Sequence, residues 1–236
     1  MKKIILIFFT TLVIFMIYWL TLDKKTYYLA LGDEIALGVT DTDITEFNYA
    51  YYVKEYFQNQ GKLEKYVNSY IKSGHRITDI VNDIKNNQIV SVNDKKITLK
   101  NALIKSDLVT ISVNNNDVLG KINSIHNLKD LYSWIDELSV EYEEMLEELR
   151  NYCKEEIIVI GYYYPNNENQ NSEFVNILNY LNNSFKEISS FYNVRYINLS
   201  DIFIENVNLV GKQYPTEEGY KIIGEQVIVE INSINR

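Results

Sequence analysis

Disulfide cross-linking within the chain is excluded at once, because the 236 residues include a single cysteine, Cys153. A lone thiol just before the apolar run at Ile157 reads as a small, partly buried core residue rather than a nucleophile. Proline and glycine are scarce, at two and nine residues, so a long flexible or low-complexity tract is not expected. Imidazoles are limited to His75 and His126. No group of His, Cys and carboxylates has metal-ligand spacing, and neither a metal nor a cofactor is expected. Positive charge is short too: 23 Lys and Arg face 32 Asp and Glu, for a net charge of −9. That balance argues against nucleic acid as a partner and against docking on anionic lipid by charge.

What the chain does have begins with an apolar segment from Ile4 to Leu22, without charge, set between Met1-Lys2-Lys3 and Asp23-Lys24-Lys25. Crossing hydrocarbon takes about 20 residues. A signal peptide has a shorter apolar core, about 7–15 residues, and a small-residue cleavage site, and no such site precedes Thr26. The two leading lysines favour a cytoplasmic N-terminus, and Tyr18 and Trp19 suit the interfacial aromatic belt. Residues 1–25 therefore read as one uncleaved transmembrane helix that holds residues 26–236 outside the cell membrane. The alternative is a secretory signal cut near residue 25.

The rest is long enough for one α/β domain with a sizeable core. Strand-like runs begin at Tyr27 and recur at Tyr66–Ile71, Leu108–Val113, Ile157–Tyr162 and Val194–Leu199. Helical periodicity falls between them, at Asn48–Gln58, Ile77–Ile84, Leu128–Arg150 and Phe174–Phe191, and again at Thr216–Ile234. Leu108–Val113 is β-branched enough for a strand buried on both faces. Glu141, Glu143, Glu144, Glu147 and Glu148 fall on the solvated side of the longest helix, and Thr216 is a suitable N-cap. Alternation of this kind predicts a three-layer α/β/α domain with a five-stranded parallel sheet, and it gathers the loops after the strands at one edge.

Those loops carry the chemistry. The first turn reads Gly32-Asp33-Glu34, between a strand and a helical segment, where free N–H groups and a dipole end favour an anion. Later come Ser73-Gly74-His75, then Val113-Asn114-Asn115-Asn116-Asp117, then Gly211-Lys212-Gln213-Tyr214-Pro215-Thr216-Glu217-Glu218-Gly219-Tyr220. In order and spacing this set resembles the sequence blocks of the SGNH hydrolases, the GDSL esterases and lipases, over Tyr27 to Ile234. The resemblance implies the flavodoxin-like fold of that family, with Gly74 and Asn116 as oxyanion donors. It also implies a catalytic triad at positions 34, 211 and 214, but here Glu34, Gly211 and Tyr214 stand where the family has Ser, Asp and His. Asn114 likewise replaces a Gly. Asp33, His75 and Asp117 are candidate accessory residues, and a Glu34–His75 pair is the candidate for a rebuilt site. Tyr162-Tyr163-Tyr164-Pro165 is the aromatic run expected at the cleft edge.

A Ser-His-Asp mechanism needs a hydroxyl, an imidazole and an orienting carboxylate in hydrogen-bonding sequence, and none stands at its matching position. The expectation is therefore an inactive, membrane-anchored domain that binds an acylated lipid or glycan of the envelope or acts as a scaffold. The alternative is an acyl-ester hydrolase with a rearranged site. Glu34 is expected to sit as a plug on the donors of Gly74 and Asn116, and Gly211 to leave the loop without an acid.

Overall fold

The computed structural model describes residues 24–234 apart from 93, 114, 125–126, 166–171 and 205. The predicted anchor, Ile4–Leu22, lies outside the described residues, as do Asn114 and His126. Among the described residues no helix is long and apolar enough to cross a membrane.

In chain order the elements are β1 (Thr26–Gly32), α1 (Glu34–Leu37), α2 (Tyr49–Asn59), β2 (Leu63–Ile71), α3 (Ile77–Lys85), β3 (Ile89–Val92), β4 (Lys95–Thr98), α4 (Leu99–Lys105), β5 (Leu108–Ser112), α5 (Asn115–Ser124), α6 (Leu128–Tyr152), β6 (Glu156–Ile160), α7 (Ser172–Phe191), β7 (Arg195–Ile197), α8 (Leu199–Phe203) and α9 (Glu217–Ile234). The five predicted strands form one sheet in the order β2-β1-β5-β6-β7, every pair parallel. The short β3–β4 hairpin, with α4, α5 and α8, is additional.

Two apolar layers close the sheet, because successive residues of a strand point to opposite faces. Leu29 and Leu31 join Val109 and Ile111 under α3, α4, α6 and α7, where Ile80, Leu103, Leu146 and Phe185 are buried. Tyr28 and Ala30 join Ile158 and Ile160 under α2, α8 and α9, where Val53, Phe203 and Ile223 are buried. Strand β5 is buried throughout, as a central strand with helices on both sides must be. Its Thr110 shares a hydrogen bond with the Tyr28 hydroxyl at 2.8 Å and its Ser112 donates to Asp33, so both of its polar residues are satisfied. Cys153, expected to be partly buried, is fully enclosed, and burial pushes its thiol up, away from the reactive thiolate.

The strand order places β1 beside β2 and β5, so the direction of chain progression reverses between β1 and β5. In open parallel sheets ligands bind at the carboxyl ends of the strands at such a reversal. Gly32 ends β1 at that point and pairs with Ser112 at the end of β5. Its φ is +137°, and a Cβ there would stand 2.3 Å from the Ser112 carbonyl oxygen. Only glycine lets the two strand ends approach so closely.

Candidate active site

Asp33 builds the first corner of the site. It caps α1, its Oδ1 accepting from the Ile35 N–H at 3.1 Å and from the Ser112 hydroxyl at 2.8 Å. Its Oδ2 accepts from the backbone and side-chain nitrogens of Asn115, at 3.0 and 3.2 Å. Asp33 is therefore a buried clamp between β1, β5 and α5 rather than an accessory group facing a ligand. Burial pushes its carboxyl up from the ordinary range, against the Asn115 and Ser112 bonds that hold it down. Asn115, which sequence reasoning passed over for its neighbours, is the residue that receives it. Helix α1 is a single turn, shorter than the sequence pattern suggests, and ends at Gly38 in the left-handed region.

Glu34 follows at the first position of α1 and is buried. Its Oε1 accepts from the Gly74 N–H at 2.6 Å and from the Ser73 hydroxyl at 2.8 Å. Half of the expected plug is thus observed. The other half is not, because Asn116 makes no hydrogen bond to Glu34. Instead the Asn116 Oδ1 accepts from the Tyr214 hydroxyl at 3.0 Å and from the Gln213 side chain at 3.1 Å. Residues 34 and 74 form one pair, 116 and 214 another. The two pairs share the sheet edge, since Asp33, next to Glu34, binds Asn115, next to Asn116. Burial is the main cause that pushes the Tyr214 phenol up, opposed by the Asn116 bond and assisted by Glu34, Asp33 and Asp41.

His75 does not join Glu34. Its Nε2 lies 3.2 Å from Asp83 Oδ2, which also binds Lys72 at 2.5 Å. The other ring nitrogen is buried without a hydrogen-bond partner. Burial, and next the Lys72 ammonium, lower the imidazole's pKa despite Asp83. A neutral histidine packed behind the Gly74 turn is what these contacts describe. Asp117 is exposed on α5, at a polar groove of about 490 Å³ that Arg76, Asn116, Trp134 and Glu141 also line.

The tyrosine run at the end of β6 does not edge the cleft as expected. Tyr162 and Tyr163 are buried, and the Tyr163 hydroxyl donates to the Gln213 carbonyl at 2.8 Å. Tyr164 turns to α7, donating to Asn179 at 2.6 Å. Apolar rings preceding a loop fill the layer beneath it when their hydroxyls find carbonyl partners there.

Gly211 holds the least expected contact of the site. A Cβ at this position would lie 2.2 Å from an oxygen of Asp41, whose carboxylate enters the 211–214 turn from the loop after α1. Asp41 accepts from the backbone N–H of Lys212, from Gln213 N at 3.0 Å and from Tyr214 N at 3.1 Å. The turn therefore has a carboxylate after all. No spacing in the sequence singled out Asp41.

A parallel α/β/α sandwich whose loops after β1, β2 and β5 and before α9 bring polar side chains to one sheet edge has its candidate site where open parallel sheets bind ligands. The chain belongs to the GDSL-like lipase/acylhydrolase family, which residues 30–222 match. No curated protein matches it in sequence. Its fold is similar to that of the lipase Lip_vut3 from a goat rumen metagenome, with a TM-score of 0.72 at 17% identity over 86% of this chain and 95% of that one. A catalytic mutant of the acetylxylan esterase Axe2 from Geobacillus stearothermophilus gives 0.65 at 18% identity, over 89% and 95%. The lipase/acylhydrolase from Enterococcus faecalis gives 0.60 at 16%, over 89% and 96%. Identities this low speak for the fold alone.

Proposed function

We propose that this domain no longer hydrolyses esters and serves, on the outer side of the cell membrane, to bind a ligand or to scaffold other envelope components. The observation that carries this reading is the Glu34 carboxylate seated on the Gly74 N–H. A serine nucleophile is replaced by an acid, and the replacement occupies a donor that a hydrolase needs for its oxyanion. Removing one such donor costs on the order of 10²–10³ in kcat. Losing the nucleophile or base costs on the order of 10⁶, and the fixed negative charge of Glu34 opposes a second one developing beside it. Together these leave nothing measurable of a serine-type reaction at position 34. The names of the structural neighbours suggest the ligand class, an acylated lipid or glycan, and the apolar Ile4–Leu22 segment suggests the attachment.

The test is the full chain, purified in detergent, against short p-nitrophenyl esters and a fluorophosphonate probe. The expected result is turnover at background and no labelling. Ester hydrolysis well above background, abolished by Glu34→Gln, would overturn the reading. Attachment is checked by finding the intact chain in the membrane fraction, and mature protein in the medium beginning near Thr26 would refute it.

One contact favours a second reading, an acyl-ester hydrolase with a rearranged site. Ser73 is exposed, and its hydroxyl donates to the buried Glu34 carboxylate at 2.8 Å, the arrangement of a hydroxyl beside a base. Fluorophosphonate labelling that Ser73→Ala removes would establish it.

A further inference from the structure

The 211–214 turn poses a problem that its own residues do not solve. Val210 and Pro215 pair across it, and the Gly211 N–H donates to the Tyr214 carbonyl at 2.7 Å, so it is a tight turn. Three successive N–H groups, of residues 212, 213 and 214, point inward. Consecutive N–H groups turned to one side make a concavity that wants an anion. An acidic side chain on the first residue of a turn commonly supplies the acceptor locally. Gly211 has no side chain.

The acceptor comes from the loop after α1. Residues 40–43 form a closed turn, in which the Thr40 N–H and hydroxyl donate to the Asp43 carbonyl at 2.7 and 2.9 Å and the Asp43 N–H returns to the Thr40 hydroxyl at 3.0 Å. That turn presents Asp41, and both of its carboxylate oxygens are used, one by Lys212 N and one by Gln213 N and Tyr214 N. The same carboxylate lies in the space that any side chain at 211 would need. A side chain at 211 would have to displace the Asp41 carboxylate, and without Asp41 the three N–H groups lose the one carboxylate they share. The two positions are alternatives for one carboxylate.

We propose that Asp41 is a positioning residue that seats the backbone of residues 212–214 from the loop after α1, and that it thereby holds the Tyr214 hydroxyl on Asn116. The proposal deepens the reading above by saying what keeps position 214 at the sheet edge. Asp41 acts through the backbone of residues 212–214 and needs to touch no ligand. It also gives Gly211 a role, since the Asp41 carboxylate occupies the space beside it.

The test uses the full chain with 3-fluorotyrosine at position 214 and two readouts, the fluorine resonance of that ring and the amide exchange of residues 212–214. Charge-assisted bonds of this kind set the scale: Asp41→Ala should speed exchange at these three amides about tenfold while the strands keep their protection, and should move the resonance toward that of a solvated phenol. Gly211→Asp alone should do the same, because two carboxylates then compete for one space. Asp41→Gly combined with Gly211→Asp should return both readouts toward those of the unmodified chain, which general damage to the loop would not do. Exchange within twofold of the unmodified chain in Asp41→Ala would overturn the proposal. So would a double variant no better than Gly211→Asp. Neither readout depends on catalysis, so ester turnover by the unmodified protein would sink the inactive reading and leave this one standing.

Discussion

Two carboxylates organise the sheet edge, and they do it in opposite ways. Asp33 is sequence-local to the turn it caps, and it is buried. Asp41 reaches a turn whose first bonded amide is 171 residues away, and its side chain remains exposed. The first joins three elements at the point where β1 and β5 separate, so its loss strands several buried donors. The second seats one surface turn that water also reaches. A local, buried acid defines the fold here, whereas an imported, exposed acid tunes a single loop.

The largest effect expected from breaking this contrast is that of Asp33→Ala. It leaves the Ser112 hydroxyl and both Asn115 donors without their buried acceptor, and such network losses lie at the severe end of single substitutions, about 3 kcal/mol or more. Urea unfolding checks it, and a loss under 1 kcal/mol would show that the clamp is not structural. Gly211→Asp comes next. Displacing the Asp41 carboxylate from its charge-assisted bonds should cost about 1–3 kcal/mol, and adding Asp41→Gly should recover most of that in the same measurement. Non-recovery would mean that the clash lies elsewhere.

pH sharpens the comparison, because the buried groups at this edge work in opposite senses. The Asp33 carboxyl is raised by burial, so its contribution is full below the unfolded value near 3.9 and is lost as pH rises through its folded value. The His75 imidazole is lowered by burial and by Lys72, with Asp83 and Asp79 opposing. Its contribution is full above the unfolded value near 6.5 and is lost as pH falls from there through its folded value. The urea midpoint should therefore drop between pH 7.5 and 5.5 by more in the unmodified chain than in His75→Gln. Equal drops would place the pH dependence in other groups. The smallest effect belongs to Glu34→Gln. An amide oxygen still accepts from Ser73 and Gly74, so stability should change by less than about 1 kcal/mol, with ester turnover at background in both forms.

Much of this was legible in the residues themselves. The five strands and the five long helices follow from hydrophobic period, which local sequence records directly. The pairing of Glu34 with Gly74 was expected from the family resemblance alone, which puts position 34 and the Gly74 N–H at one site. The Tyr162–Tyr164 run misled, since an aromatic ring reads alike whether it lines a cleft or fills the layer under one. Asn116 was placed at the right edge with the wrong partner, because an amide accepts as readily as it donates and its neighbours decide which.

Apolar periodicity along the chain was enough to place the layers and the sheet edge at which the four turns meet. Which acid serves the 211–214 turn became visible with the folded loops alone. A carboxylate's bonds to backbone N–H groups depend on where two loops meet, and any acid brought to that spot would satisfy them. Nothing in the composition or spacing around Asp41 marks it. Its role comes from a neighbour distant in the chain, at a glycine that reads as an absence until the space beside it is seen to be filled.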